Sequence, residues 1–129
     1  MREILFRAKV KCTSEMQVLL QYNEGEWVHG EIHLNARCPH IHANGRRYPI
    51  DPDTLGQYTG LNDKAGNKVF EGDILTSGNF IYVAEFHNGS FDLKGPTSGN
   101  FCANAMVCMS EVVGNIYDNK EMLKEAEEW

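Results

Sequence analysis

Residues 57–73 read QYTGLNDKAGNKVFEGD, and this stretch decides the fold. Gly60 and Gly66 favour tight turns, because glycine adopts a positive φ without steric cost. Gly72 lies where a strand must bend sharply, so it predicts a bulge, and Asp73 is expected to accept backbone N–H bonds in that bend. We therefore predict that this block acts mainly in folding, with a ligand site as the less favoured alternative.

Segments of β character lie on both sides of this block. In most of them apolar residues alternate with polar ones, which predicts strands with one buried face. Asn88-Gly89 between two apolar segments is the strongest hairpin signal, because both central residues of such a turn need a positive φ. Residues 23–26 have the composition of a second hairpin loop. The predicted strands cover 2–12, 16–22, 27–34, 68–76, 80–86, 91–94, 101–109 and 112–117.

Residues 35–52 contain several residues that favour turns or interrupt regular structure. They include Pro39, Asn44-Gly45, Pro49 and Pro52. Such a cluster favours irregular structure, so this segment is predicted to separate an N-terminal lobe from the rest of the chain.

The C-terminal residues predict a short helix. Asp118 is expected to cap it, and Glu121 three residues later completes a pattern resembling a capping box. Met122, Ala126 and Trp129 follow at helical spacing and form an apolar stripe. Because so short a helix is marginal alone, we expect this stripe to dock on the β core or on a partner.

Composition excludes several classes of protein. The 129 residues carry a net charge of −6, and the twelve Lys and Arg residues are too few for an extensive duplex-binding surface. Four of them lie in the first eleven residues, and Arg46-Arg47 is the one adjacent pair, so either a local basic patch or solvated strand edges remains open. No apolar run is long enough to span a membrane, and 1–12 does not resemble a signal peptide.

The four cysteines show no CxxC pair and no regular disulfide framework. We read Cys12, Cys38, Cys102 and Cys108 as reduced thiols, which predicts a cytoplasmic protein.

Four ordered blocks of sequence resemble the YopX family, small proteins of bacteriophages and prophages. They are REILFRA at 2–8, TLGQYTGLNDKAGNKVFEGDI at 54–74, VAEFHNGSF at 83–91 and VVGNIYDN at 112–119. The resemblance spans nearly the whole chain except 12–50. It implies a mainly β fold with a small SH3-like barrel, a phage or prophage origin and the cytoplasm of a bacterial host, and it brings no established biochemical activity.

We therefore predict three parts in one compact unit. An N-terminal β-hairpin lobe covers 1–50, an SH3-like barrel covers 51–117, and a short C-terminal helix covers 118–129.

Histidines provide the one candidate metal site. His29, Glu31 and His33 share one strand face, while Cys38, His40 and His42 share another if the next segment is extended. Histidine and cysteine are the usual ligands of zinc, but this spacing is that of no established zinc motif, and Pro39 interrupts the second segment. We predict that the protein holds no stoichiometric metal and no cofactor.

Catalytic motifs are not recognisable, so we predict that the protein is not an enzyme. No serine lies in a GxSxG context, no cysteine has the local signature of a thiol protease, and residues 59–64 lack the glycine spacing of a P-loop. Asp51 and Asp53 lie among prolines and are assigned to a turn. No catalytic residue is predicted.

Two functions remain. The favoured one is a phage accessory protein that binds a protein partner, or itself as a homo-oligomer. The alternative is a nucleic-acid-binding small barrel, against which the acidic balance argues. Its aromatic and charged residues would be Tyr48, Tyr58, Phe80, Tyr82, Phe86, Arg46, Arg47 and Lys64.

Overall fold

The computed structural model describes residues 4–12, 19, 21–33, 39–78, 80–87, 90–94, 100–102 and 107–125. This part of the chain is mainly β, as predicted, with two antiparallel sheets and one short α-helix. The strands are β1 Phe6–Lys9, β2 Trp27–His33, β3 His40–Ala43, β4 Arg46–Pro49, β5 Gly56–Asn62, β6 Lys68–Phe70, β7 Asp73–Ser77, β8 Phe80–His87, β9 Ser90–Lys94, β10 Asn100–Cys102 and β11 Glu111–Asn115, and the helix is α1 Lys120–Glu125.

The chain divides into two compact units, residues 1–57 and 58–129. The first sheet has the strand order β4-β3-β2-β1-β5-β6. Strand β5 pairs with β1 through Gly56 and Gln57 in the first unit, and with β6 through Tyr58 and Asn62 in the second. The predicted boundaries at 50 and 117 stay a prediction.

The core of the first unit lies on one face of strands β1 to β4. Its buried apolar residues come from alternate positions of these strands, as period-two patterning requires, and from the isolated bridge Val10↔Ile50 that follows β1 and β4. The buried set comprises Ala8, Val10, Val28, Ile41 and Ile50.

A hairpin occupies much of the segment that was predicted to be irregular. Strands β3 and β4 pair antiparallel from His40↔Pro49 to Ala43↔Arg46. Between them Asn44 and Gly45 have φ values of 52° and 75°, the positive angles that an Asn-Gly hairpin turn requires. The expectation of irregular structure was wrong here because the prolines lie at the ends of the hairpin, where they interrupt no central ladder.

The second unit contains the sheet β10-β9-β8-β7-β11. Its core joins buried residues of these strands and of β6, namely Val69, Leu75, Tyr82, Ala84, Leu93 and Val107. The SH3-like barrel predicted for 51–117 is not confirmed. Within the described residues β10 and β11 are the two edges of an open sheet, and no ladder joins them.

The glycines of residues 57–73 have the positive φ predicted for them, but Gly60 lies within β5, at a register shift of its ladder, and not in a tight turn. Gly60, Gly66 and Gly72 have φ values of 87°, 88° and 93°. Gly72 separates β6 from β7, and the Asp73 carboxylate accepts the Phe70 N–H at 2.7 Å across that bend. The predicted segment 68–76 is therefore two strands joined at a sharp corner.

Several other predicted elements differ from the structure. Strand β5 was not predicted, because its glycines were read as turns. Residues 107–109 form a 3-10 turn instead of continuing a strand from 101. Most of 16–22 lies outside the described residues. The helix begins at Lys120, so Asn119, not Asp118, directly precedes it.

None of the helices found in the described part of the chain has the length and hydropathy needed to cross a bilayer.

Candidate functional site

One side of the first-unit sheet carries most of the histidines of the chain. Ala8, Val28 and Ile41 point into the core, so the residues that alternate with them lie together on the other side. We call this side the histidine face. Its members are Arg7, Lys9, Trp27, His29, Glu31, His33, His40, His42 and Arg47.

The two predicted polar strand faces converge here. Glu31 pairs with His42, and His33 pairs with His40, across the β2–β3 ladder. The rings of His33 and His42 stack with their centroids 3.7 Å apart and their planes 14° from parallel. Glu31 Oε2 lies 3.6 Å from His33 Nε2, so one carboxylate borders the stacked pair.

Desolvation, helped by positive neighbours, lowers the pKa of two histidines of this face. Desolvation, followed by repulsion from Arg7, lowers the pKa of His29 below 6.5. Desolvation also lowers the pKa of His42, with smaller effects of the same sign from His33 and Arg47, while Glu31 opposes them. These two imidazoles therefore gain charge at more acidic pH than an isolated histidine does.

Trp27 lies among cations at the end of the histidine face. The guanidinium of Arg7 is 4.9 Å from the centre of the indole ring, and the ammonium of Lys9 is 5.5 Å from it. Both distances fall within the range of cation–π attraction. Arg7 is only 8% exposed, so it mainly supports the indole, while Lys9 is partly accessible.

A second group of cations and aromatic rings lies on the β3–β4 hairpin. The Arg46 guanidinium is 4.7 Å from the Tyr22 ring centre and 5.1 Å from that of Tyr48. The Tyr22 hydroxyl donates a hydrogen bond to the Arg47 carbonyl at 2.6 Å. Arg46 and Arg47 are both exposed, and because they are consecutive in a strand they project to opposite sides of the sheet.

Charge is divided unevenly between the two units. The first carries seven of the twelve Lys and Arg residues and seven acidic residues, whereas the second carries five and eleven. The net charge of −6 therefore belongs to the second unit, and the first is neutral. Sequence reasoning from the whole-chain charge missed this division.

The residues predicted for nucleic-acid binding do not form one group. Arg46, Arg47 and Tyr48 lie on the first-unit hairpin, but the other five belong to the second unit. There Tyr58 and Tyr82 are buried in packed structure and offer no free ring. Trp27 and Lys9, which sequence reasoning did not select, are found by the period-two alternation of β1 and β2.

The candidate metal site is only partly assembled by the described residues. His33, His40, His42 and Glu31 share the histidine face, but Cys38 lies outside the described residues. Among those that are described, no three His, Cys, Asp or Glu side chains are arranged to hold a metal ion. The absence of a stoichiometric metal stays a prediction.

Comparison with known proteins now adds the family. The model of the YopX protein family matches residues 5–124. The chain belongs to the YopX family. No curated protein sequence matches it. Among solved structures, it is similar to protein EF1440 from Enterococcus faecalis, with a TM-score of 0.57 and 22% identity over 95% of this chain and 99% of that one. At this identity the likeness concerns the fold alone.

Proposed function

We propose that this YopX family member is a non-enzymatic module that binds single-stranded nucleic acid through the histidine face. The observation that carries the proposal is the combination of Trp27 and Lys9 with exposed Arg47 on one side of an antiparallel sheet. Sheet faces that bind single strands combine cations for the phosphates with rings on which bases stack.

The charge of the first unit supports this proposal against the acidic balance of the whole chain. The histidine face carries three Lys or Arg residues and four histidines against one carboxylate, Glu31. Arg46 is exposed on the same hairpin but projects to the opposite side of the sheet, so it does not belong to this face. The local field, and not the net charge, governs the approach of a polyanion at physiological salt, because screening limits its range to about 8 Å.

The proposal is tested by fluorescence anisotropy with a labelled single-stranded DNA, a single-stranded RNA and a duplex of equal length. We expect the single strands to bind more tightly than the duplex, because a flat sheet face meets exposed bases only in a single strand. Arg47→Gln should weaken binding several-fold, whereas Lys68→Gln in the second unit should not. Equal effects of both variants, or no binding, would rule the proposal out.

A protein partner or a second copy is the other candidate, and one exposed aromatic pair favours it. Phe86 is 55% exposed, and its ring packs edge to face on Phe91 with centroids 5.2 Å apart. Aromatic rings left on a surface are typical anchors of protein interfaces. Sedimentation of wild type and Phe86→Ser tests it: a homo-oligomer formed through this pair would dissociate in the variant.

The same proposal includes the setting that the family resemblance implies. We take the protein to be encoded by a bacteriophage or prophage and to act in the bacterial cytoplasm, where single-stranded replication and transcription intermediates are present.

A further inference from the structure

A cleft opens where strands β2 and β3 separate. Their ladder ends at Glu31↔His42, although β2 continues back to Trp27 beside β1 and β3 continues into the hairpin turn. The open cavity between them has a volume of about 310 Å³. It is lined by Glu26, Trp27, Val28, His29, Ala43, Asn44 and Tyr48.

Gly30 determines where the two strands separate. A Cβ at this position would collide with the carbonyl oxygen of His42 and lie 3.1 Å from the Ile41 side chain. Only glycine permits so close an approach of the two backbones. The cleft therefore begins directly beyond the close approach of the two backbones at Gly30.

The walls of the cleft combine two aromatic residues with polar groups. Trp27 borders the cleft on the histidine face, beside partly exposed Lys9, whereas Tyr48 borders it on the opposite side of the sheet, beside exposed Arg46. Asn44 and Glu26 are both exposed and add an amide and a carboxylate. This volume lies at the lower end of small-molecule sites and suits one flat aromatic ligand.

We propose that this cleft holds one base of the bound single strand, an inference that rests on the proposed function. Trp27 supplies the stacking surface on the histidine face, where Lys9 holds an adjoining phosphate, and Tyr48 closes the cleft from the opposite side of the sheet. The Glu26 carboxylate and the side-chain oxygen of Asn44 accept hydrogen bonds from an exocyclic amino group. Thymine presents a carbonyl oxygen where adenine and cytosine present that amino group, and a carboxylate that only accepts repels it, so the cleft selects adenine or cytosine over thymine.

The Asn44-Gly45 turn offers a sharp test of this selection. Asn44 has a φ of 52°, a conformation that glycine adopts freely, so Asn44→Gly removes the amide and keeps the hairpin. Glu26→Gln removes the carboxylate while preserving size. Melting curves of both variants establish that they fold.

Binding is measured by anisotropy with single-stranded homopolymers of adenine, cytosine and thymine and with an abasic chain of the same length. We expect wild type to bind the adenine and cytosine chains about tenfold more tightly than the thymine chain. Asn44→Gly and Glu26→Gln should each reduce that ratio to below about threefold. On the abasic chain, which offers the cleft no base, Asn44→Gly should bind as wild type does.

The outcomes separate this inference from the function on which it rests. Equal wild-type affinity for all four chains, or a ratio that both variants retain, would overturn base selection while leaving nucleic-acid binding intact. No binding to any chain would overturn both. A shift of the Asn44 side-chain amide resonance on adding cytidine monophosphate, with none for uridine monophosphate, provides independent support; the reverse result counts against it.

Discussion

Asp63 shows how a single residue of the stretch 57–73 stabilises the fold. It is 4% exposed, and its carboxylate accepts N–H bonds from Ala65 at 3.0 Å, Asn67 at 2.8 Å and Val112 at 2.9 Å. It thereby joins the turn after β5 to the start of β11. Burial alone would raise the pKa of Asp63, but the bonds from Val112 and Asn67, with that from Ala65, outweigh it and lower the pKa below 3.8.

We expect Asp63→Asn to lower the free energy of unfolding by about 2 kcal/mol at neutral pH, because an amide cannot accept all of these bonds. A lowered folded-state pKa means that the carboxylate stabilises the fold above the ordinary value of 3.8 and loses this effect as the pH falls below it. Urea denaturation should therefore show the gap between wild type and variant closing under acid. A gap independent of pH, or a similar loss for exposed Asp53→Asn, would contradict this role.

Gly72 tests the prediction that the block acts in folding. A Cβ at Gly72 would lie 3.2 Å from the Tyr117 ring, and the φ of 93° disfavours any β-branched residue. Gly66 has nearly the same φ of 88° but no atom within 4 Å of its Cβ position, so it isolates the strain from the contact.

Gly72→Val should lose about 3 kcal/mol of stability, and Gly66→Val about 1–2 kcal/mol, measured by thermal unfolding. If Gly72→Val has the same melting temperature as wild type, the bend at Gly72 is not important for folding, and a surface role for residues 57–73 gains support.

Histidine protonation gives the proposed interface a pH dependence. The pKa values of His29 and His42 are lowered below 6.5, so both are mainly neutral at pH 7 and become positive only as the pH falls through those lowered values. Positive charge gained on the face strengthens attraction to phosphate. Affinity for single strands should rise several-fold under mildly acidic conditions, and His42→Gln should reduce this rise. Affinity that is constant or falls with acid, in a protein that stays folded, would argue against the histidine face.

At the scale of elements, the β3–β4 hairpin shows why residue composition alone did not predict every turn correctly. Asn44-Gly45 carries the same signal that correctly predicted the hairpin of β8 and β9, whose ladder reaches His87↔Ser90, but Pro39 and Pro49 nearby suggested a break in structure. The hairpin forms in spite of the prolines because Pro49 lies at the end of β4. There its carbonyl oxygen accepts the Lys11 N–H at 3.0 Å. The sequence could indicate the turn residues but not that the prolines lie at the ends of strands.

The C-terminal segment carries an element-scale prediction. Asn119 precedes α1, and its side-chain oxygen accepts the Asn115 N–H at 3.1 Å, which fastens the end of β11. Met122 is half-buried, whereas Ala126 and Trp129, the rest of the predicted stripe, lie outside the described residues. We expect deletion of 119–129 to lower the melting temperature more than deletion of 120–129, because the shorter truncation keeps Asn119.

Docking of the helix is tested by the same pair of truncations. Deletion of 120–129 should still lower the melting temperature or change the sedimentation coefficient relative to full length, since so short a helix persists only when packed. If this truncation matches full length in both measurements, the helix is a free tail.

For the whole molecule, the sequence predicted the β class, the turn glycines and the family, all of which depend on local pattern. It did not predict the open sheets or the placement of Trp27, Lys9 and Arg47 on one face, because strand order and register arise from contacts distant in sequence. The preference for protein partners over nucleic acid stays a prediction; it rested on net charge, which does not show that the first unit is neutral and the second carries −6.

The salt dependence of single-strand binding tests the central claim most directly. If phosphates contact the first unit, the logarithm of affinity falls linearly with the logarithm of salt, by about 0.7 per contact. Lys9→Gln with Arg47→Gln, two cations of the histidine face, should make that slope shallower by roughly 1.4, because two contacts are lost. The matched pair Lys64→Gln with Lys68→Gln, exposed cations of the second unit, should leave it unchanged. Binding that is absent, independent of salt, or equally affected by both pairs would contradict the account.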